Sequence, residues 1–205
     1  MNLKDQFEQL CLLFTEDPDL ISNLWKEIET QYAEKNRHYH NLVHLENMFR
    51  ELGSVKSDLS DFNGVSFSLF YHDIIYNATS KSNEEKSALK ATERLSELGL
   101  HQNNIEIISD QILATQFHEK SENKDTNYLL DADLSILGKD FEVYMEYTRK
   151  IRKEYSIYPD LLYKPGRKKV LTHFLELDSI FKTDYFKEKY EIQARSNIAA
   201  EIQLL

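Results

Sequence analysis

The amino-acid sequence predicts an all-α protein, one compact domain of about nine or ten helices. Three observations carry that prediction. Gly 5 and Pro 3 are few for 205 residues, where average usage gives roughly 14 and 10, and sheets and long loops depend on those residues at their turns. Apolar residues recur at spacings of three and four along most of the chain, the period of a half-buried helix. The one strand-like segment, VSFSLFYHDIIY at 65–76, has aromatic and β-branched content, but its length and its helical neighbours make it a helix. The chain is long enough to bury a sizeable core in one domain.

The first helix is expected over about residues 2–15, with Leu3, Phe7, Leu10, Leu13 and Phe14 on one side. Asp17-Pro18-Asp19 breaks it, and Asp19 is placed to cap a second helix bearing Leu20, Leu24, Ile28 and Tyr32. A third runs from about Tyr39 to Leu52, carrying Leu42, Leu45, Phe49 and Leu52, until Gly53 stops it. Gly64 precedes the VSFSLFYHDIIY helix, and helices over about Asn83–Leu98 (ended by Gly99) and Asn104–His118 follow. Tyr128–Leu137 is ended by Gly138, and a long helix from Asp140 to about Ile157 is stopped by Pro159. Two more fill about 166–181 and 185–204.

Composition excludes several classes. A net charge of −10 opposes indiscriminate binding to nucleic acid. The single cysteine, Cys11, forbids an internal disulfide and suits a reducing compartment; in QLCLLF it reads as a small core residue. MNLKDQFEQL lacks the basic and apolar regions of a signal peptide, and no apolar run approaches the roughly 18 residues of a membrane span. The expectation is a cytoplasmic protein with no membrane partner, monomeric or homodimeric.

Against that background, some polar residues stand in unexpected places. Val65, Phe67, Leu69, Phe70, Ile74 and Ile75 leave their helix no wide polar face, so it is buried. Yet it holds His72 and Asp73. A buried carboxylate without partners costs several kcal/mol, so it must be paired, protonated or metal-bound. In NYLLDADLSILG, Leu130, Leu134 and Leu137 define the buried arc. At about 100° per residue Asp133 falls inside that arc, while Asp131 falls near its edge and is expected to cap or to face water. RHYHNLVH, residues 37–44, supplies the third piece. His40 and His44 are four apart and share a helix face, and His38 reads as a capping or surface residue. For the His72–Asp73 pair alone, a satisfied core hydrogen bond is the favoured reading, because one such pair is weak evidence of a site. Three helices each bringing an unexplained His or Asp inward favour a shared cation. His44, His72, Asp73 and Asp133 form a mixed nitrogen and oxygen set suited to a divalent transition metal: Mn, Fe, Co, Ni or Zn, with Mg admissible. The spacing matches neither HExxH, CxxC nor an EF-hand loop.

This order of residues, His44, then His72-Asp73, then Asp133, resembles the H…HD…D pattern of the HD superfamily of metal-dependent phosphohydrolases. RHYHNLVHLENM, FYHDIIYN, NEEKSA, ILATQFH, LLDADLSILG, IRKEY, GRKKVL and ARSNIAAEIQLL are together similar to a small bacterial subfamily of predicted HD phosphohydrolases. The similarity runs from about Trp25 to the C-terminus. The resemblance implies an HD-type helical domain over residues 1–205 with one ion held between helices. It implies His44, His72, Asp73 and Asp133 as ligands, and His118 as a contact near the metal or substrate.

The expected reaction is hydrolysis of a small phosphorylated substrate, expected to be a nucleotide, with monoester and diester left open. Asp73 is ligand and base, or ligand only. Glu84 and Glu85 are either an acid or base pair or first-turn acids behind an Asn83 cap. Arg37, Arg152 and Arg167 are candidate substrate contacts, since guanidinium binds phosphate bidentately, and His40 is a further candidate contact. Pro165-Gly166-Arg167 is expected to open a helix whose free N–H groups hold phosphate. Lys150, Lys153, Lys168 and Lys169 read as a solvated face. Tyr39, Tyr71 and Tyr76 lie near the ligands in sequence, placed to orient a ligand or stack on a base. Two competing functions remain: a non-catalytic sensor that binds metal and nucleotide, and a helical interaction protein whose His–Asp cluster is a core network.

Overall fold

The computed structural model describes residues 2–205, and these are all-helical: ten α-helices, two short 3-10 turns and no strand. The chain divides into two compact units, Met1–Leu129 and Leu130–Leu205, and the division falls inside one helix.

The first unit contains α1 (Leu3–Cys11), α2 (Pro18–Tyr32), α3 (Leu42–Ser54), α4 (Phe62–Tyr71), α5 (Asn83–Glu97), α6 (Gln102–Ala114) and the start of α7 (Lys124–Leu134). At its centre is α4, buried at every position from Gly64 to Tyr71 and packed against α3, α5 and α6. Its apolar residues meet an aromatic cluster: Phe70 lies 5.0 Å from Phe7, 4.8 Å from Phe49 and 6.5 Å from Trp25 between ring centroids. Burying one such side chain is worth about 1.5–3 kcal/mol. The helix's two serines are tolerated because each bonds the preceding turn, Ser66 to the Phe62 carbonyl and Ser68 to the Gly64 carbonyl, with Ser68 also reaching Gln111. Arg94 of α5 grips Glu27 of α2 with two hydrogen bonds of 2.6 and 2.9 Å, which holds the Glu27 carboxyl below its ordinary range. Gly99, at φ 87, ends α5 in the left-handed conformation that glycine adopts without strain.

The second unit contains the rest of α7, a 3-10 turn at Ser135–Gly138, α8 (Phe141–Glu154), α9 (Asp160–Glu176) and α10 (Asp184–Leu204). Tyr144, Ile151, Leu171, Phe181, Phe186, Tyr190, Ala194 and Ile198 are buried in it.

Several element ends differ from expectation, each for a local reason. Helix α1 stops at Cys11, so Leu13 and Phe14 fall beyond its buried face. The cap of α2 is Asp17, whose Oδ1 accepts the N–H groups of Asp19 and Leu20, with Pro18 in the first helical position. Helix α3 begins at Leu42 behind the Asn41 cap, which leaves Tyr39 and His40 outside it, and it passes through Gly53. Helix α6 ends at Ala114, so His118 lies outside it, at φ 51. Helix α9 begins at Asp160, so Pro165-Gly166-Arg167 is helix interior rather than a helix start. No described helix is long and apolar enough to cross a membrane.

Candidate metal centre

Two segments of the first unit bring imidazoles together. The first is RHYHNLVH. Asn41 organises it: its Oδ1 accepts the Val43 N–H at 3.0 Å, while its amide donates to the His38 carbonyl at 3.1 Å. Helix α3 therefore starts at Leu42, and His44 sits buried in its first turn. The Tyr39 ring packs 4.9 Å from His44, and half-buried His40 stacks on Tyr76 at 4.2 Å. His40 is thus beside His44 but not on its helix.

The second segment is the His72-Asp73 doublet. It lies in a turn at the end of α4, not in mid-helix, because side chains break the helical hydrogen-bond ladder there. In a continuing helix the Leu69 carbonyl would accept the Asp73 N–H. Instead it accepts from His72 Nδ1 at 2.8 Å. The Tyr32 hydroxyl inserts in the gap, donating to the Phe70 carbonyl at 3.1 Å and accepting the Asp73 N–H at 3.3 Å. The next peptide groups are taken in turn by side chains. Arg37 donates to the carbonyls of Asp73 and Ile74 at 2.5 and 2.9 Å. Ser87 bonds both the N–H and the carbonyl of Ile75, and Asn83 does the same for Asn77.

The consequence is chemical. A carbonyl only accepts, so His72 Nδ1 carries a proton, and in its neutral form the ring presents an Nε2 lone pair. That Nε2 lies 3.3 Å from His44 Nε2 and 3.2 Å from Asp73 Oδ2. Three electron-rich atoms so placed suit a proton or a cation among them. A histidine whose second nitrogen is fixed on a carbonyl is also the usual arrangement for a metal ligand.

The remaining expected residues fall as follows. Glu84 and Glu85 occupy the first turn of α5, half-buried and exposed, and the cap position is Ser82, not Asn83. His118 is half-buried. Tyr71 departs from the site residues: its hydroxyl is buried without a hydrogen-bond partner, and burial pushes its pKa well up. Asp133 is half-buried near the end of α7 in the second unit, whereas Asp131 is fully buried there. Asp131 accepts the backbone N–H groups of Lys182 and Thr183 and the Thr183 hydroxyl at 2.7–2.8 Å. It neither caps a helix nor faces water: it fixes the segment that leads into α10.

The arginines offered for phosphate have other work. Arg37 is the clamp just described. Arg152 binds Asp160 and the carbonyls of Tyr155 and Tyr158, closing the end of α8. Arg167 forms a buried two-pronged ion pair with Glu201 at 2.8 and 3.0 Å, and Tyr144 donates to the same carboxylate. Sequence reasoning missed Tyr32, Asn83 and Ser87. Asn83 and Ser87 stand in the NEEKSA segment, and their signal was a polar residue at an inward helix position.

The chain matches no protein-family model, no curated protein and no solved structure at a significant level.

Proposed function

We propose that the protein is an HD-type metal-dependent phosphohydrolase acting on a small phosphorylated substrate, with a nucleotide the expected class. One observation carries the reading: the Nε2 atoms of His44 and His72 stand 3.3 Å apart with Asp73 Oδ2 beside the second. Asp133 is the proposed further ligand. Supporting it, the order His44, His72-Asp73, Asp133 resembles the H…HD…D pattern of the HD superfamily. The donor set of two imidazoles and carboxylate fits Mn, Fe, Co, Ni or Zn, with Mg admissible.

A bound divalent ion would supply Lewis acidity and an activated water at neutral pH. The protein's own groups do the rest. His44, His72 and Asp133 hold the ion. Asp73, with its backbone fixed at both ends, offers a carboxylate that joins them or accepts a proton. Glu84 or Glu85, in the adjoining helix turn, is the proposed second acid or base. His40 and His118 are proposed to contact substrate. We place the protein in the cytoplasm.

Gently purified protein analysed for metal, then assayed on nucleotides and phosphate esters in Mn²⁺, Co²⁺, Ni²⁺ and Mg²⁺, tests this. About one ion per chain and metal-dependent turnover are expected. His44→Ala and Asp133→Ala should each lower turnover at least 100-fold while helical content is retained. A second reading is a sensor that binds metal and nucleotide without hydrolysis. Bound metal with tight nucleotide binding and no turnover would select it, and absence of metal would reject both.

A further inference from the structure

We propose that Arg37 is a positioning residue that sets the affinity of this centre for a divalent cation, by holding its two imidazole-bearing segments in register. The inference rests on the metal reading above. The Arg37 side chain is 1% exposed, and a buried cation is tolerated only where dipoles replace its water. Here they come from both sides of the site. Nη1 donates to the carbonyls of Asp73 and His40 at 2.5 and 3.4 Å, and Nη2 donates to Ile74 at 2.9 Å. Nε reaches Glu34 at 3.3 Å. The guanidinium plane lies over the Tyr32 ring at 4.9 Å and the Tyr76 ring at 5.6 Å.

Those carbonyls belong to the strip entering α3, which carries His44, and to the turn leaving α4, which carries His72 and Asp73. One planar group therefore fixes the distance between the two Nε2 atoms. Two opposite effects can be weighed. A nearby positive charge repels an incoming cation, so if charge alone mattered, Arg37 would weaken binding. If register matters, Arg37 strengthens it. Lysine separates these effects: it keeps the charge but has no fork to span successive carbonyls and no plane to lie against two rings.

The test is Co²⁺ affinity, measured by calorimetry and by the ion's visible absorption. Arg37→Lys should raise the Kd for Co²⁺ at least tenfold and alter the absorption spectrum. Leu95→Ala, a core substitution in α5 chosen to lose comparable thermal stability, should leave the Kd within twofold of wild type. Tyr32→Phe keeps the ring but removes the hydroxyl between Phe70 and Asp73, and should raise the Kd severalfold. The proposal is overturned if folded Arg37→Lys binds Co²⁺ within twofold of wild type. Should that variant not fold, Arg37→Gln, which loses both the charge and the fork, overturns it by binding Co²⁺ as tightly as wild type or more tightly. If the wild-type protein takes up no Co²⁺, the metal reading itself fails, a result distinct from either variant outcome.

Discussion

Asp131 and Asp133 stand two positions apart on α7 and meet different surroundings. Asp131 is buried, and its carboxylate takes two backbone N–H groups and a hydroxyl at the start of α10. Burial raises its pKa, and the Thr183 hydroxyl and the two N–H groups pull it back down. Asp131→Ala leaves those donors stranded, and each buried orphan costs about 1–3 kcal/mol. We expect a loss of about 3 kcal/mol in urea unfolding, with Asp131→Asn losing less because one acceptor remains. Helical periodicity placed Asp131 at the edge of the buried arc, to cap or to face water, whereas it is fully buried and fixes the segment before α10. Its partners lie about fifty positions further along the chain, where no local pattern reaches. Arg37, Arg152 and Arg167 teach the same lesson. A sequence shows a guanidinium and its neighbours, but not the distant carbonyl or carboxylate that takes it. The histidines were easier to read, because a polar ring inside an apolar period is itself a local signal.

At the level of elements, number and type were legible and boundaries were not. The three- and four-residue spacing gives ten helices their existence. Where each one stops depends on capping side chains and competing hydrogen bonds. Asn41 decides the start of α3, Tyr32 and His72 decide the end of α4, and Pro159 with Asp160 sets the start of α9 six residues earlier than expected. The 3-10 turn at Ser135–Gly138 shows how tightly such ends are built. Asn197 of α10 donates to the carbonyls of Leu137 and Lys139 at 2.8 and 2.7 Å. A Cβ on Gly138 would meet the Tyr190 backbone carbonyl oxygen at 2.8 Å and its Cα at 2.9 Å. Backbone cannot yield as a flexible side chain does, so the turn and α10 must separate. Gly138→Ala is expected to cost about 3 kcal/mol or more, read from the shift in denaturant midpoint at unchanged slope.

Across the whole molecule, the scarcity of Gly and Pro foretold an all-α chain, and that is the class found. The proposed centre draws its ligands from residues far apart in sequence, so an ion that binds only the folded chain stabilises it by mass action. At a free concentration near 100 times Kd the gain is about 2.7 kcal/mol. Added Mn²⁺ or Co²⁺ should therefore raise the melting temperature, EDTA should reverse the rise, and Asp133→Ala should abolish it. The Tyr32 hydroxyl wedged between Phe70 and Asp73 gives this linkage a direction in time. It bridges residues 38 and 41 positions away, and Arg37 spans a similar distance. The doublet has its aim only where α2 and the strip before α3 are docked against it. A cation that recognises only the finished arrangement leaves the refolding rate alone and lengthens the lifetime of the native chain.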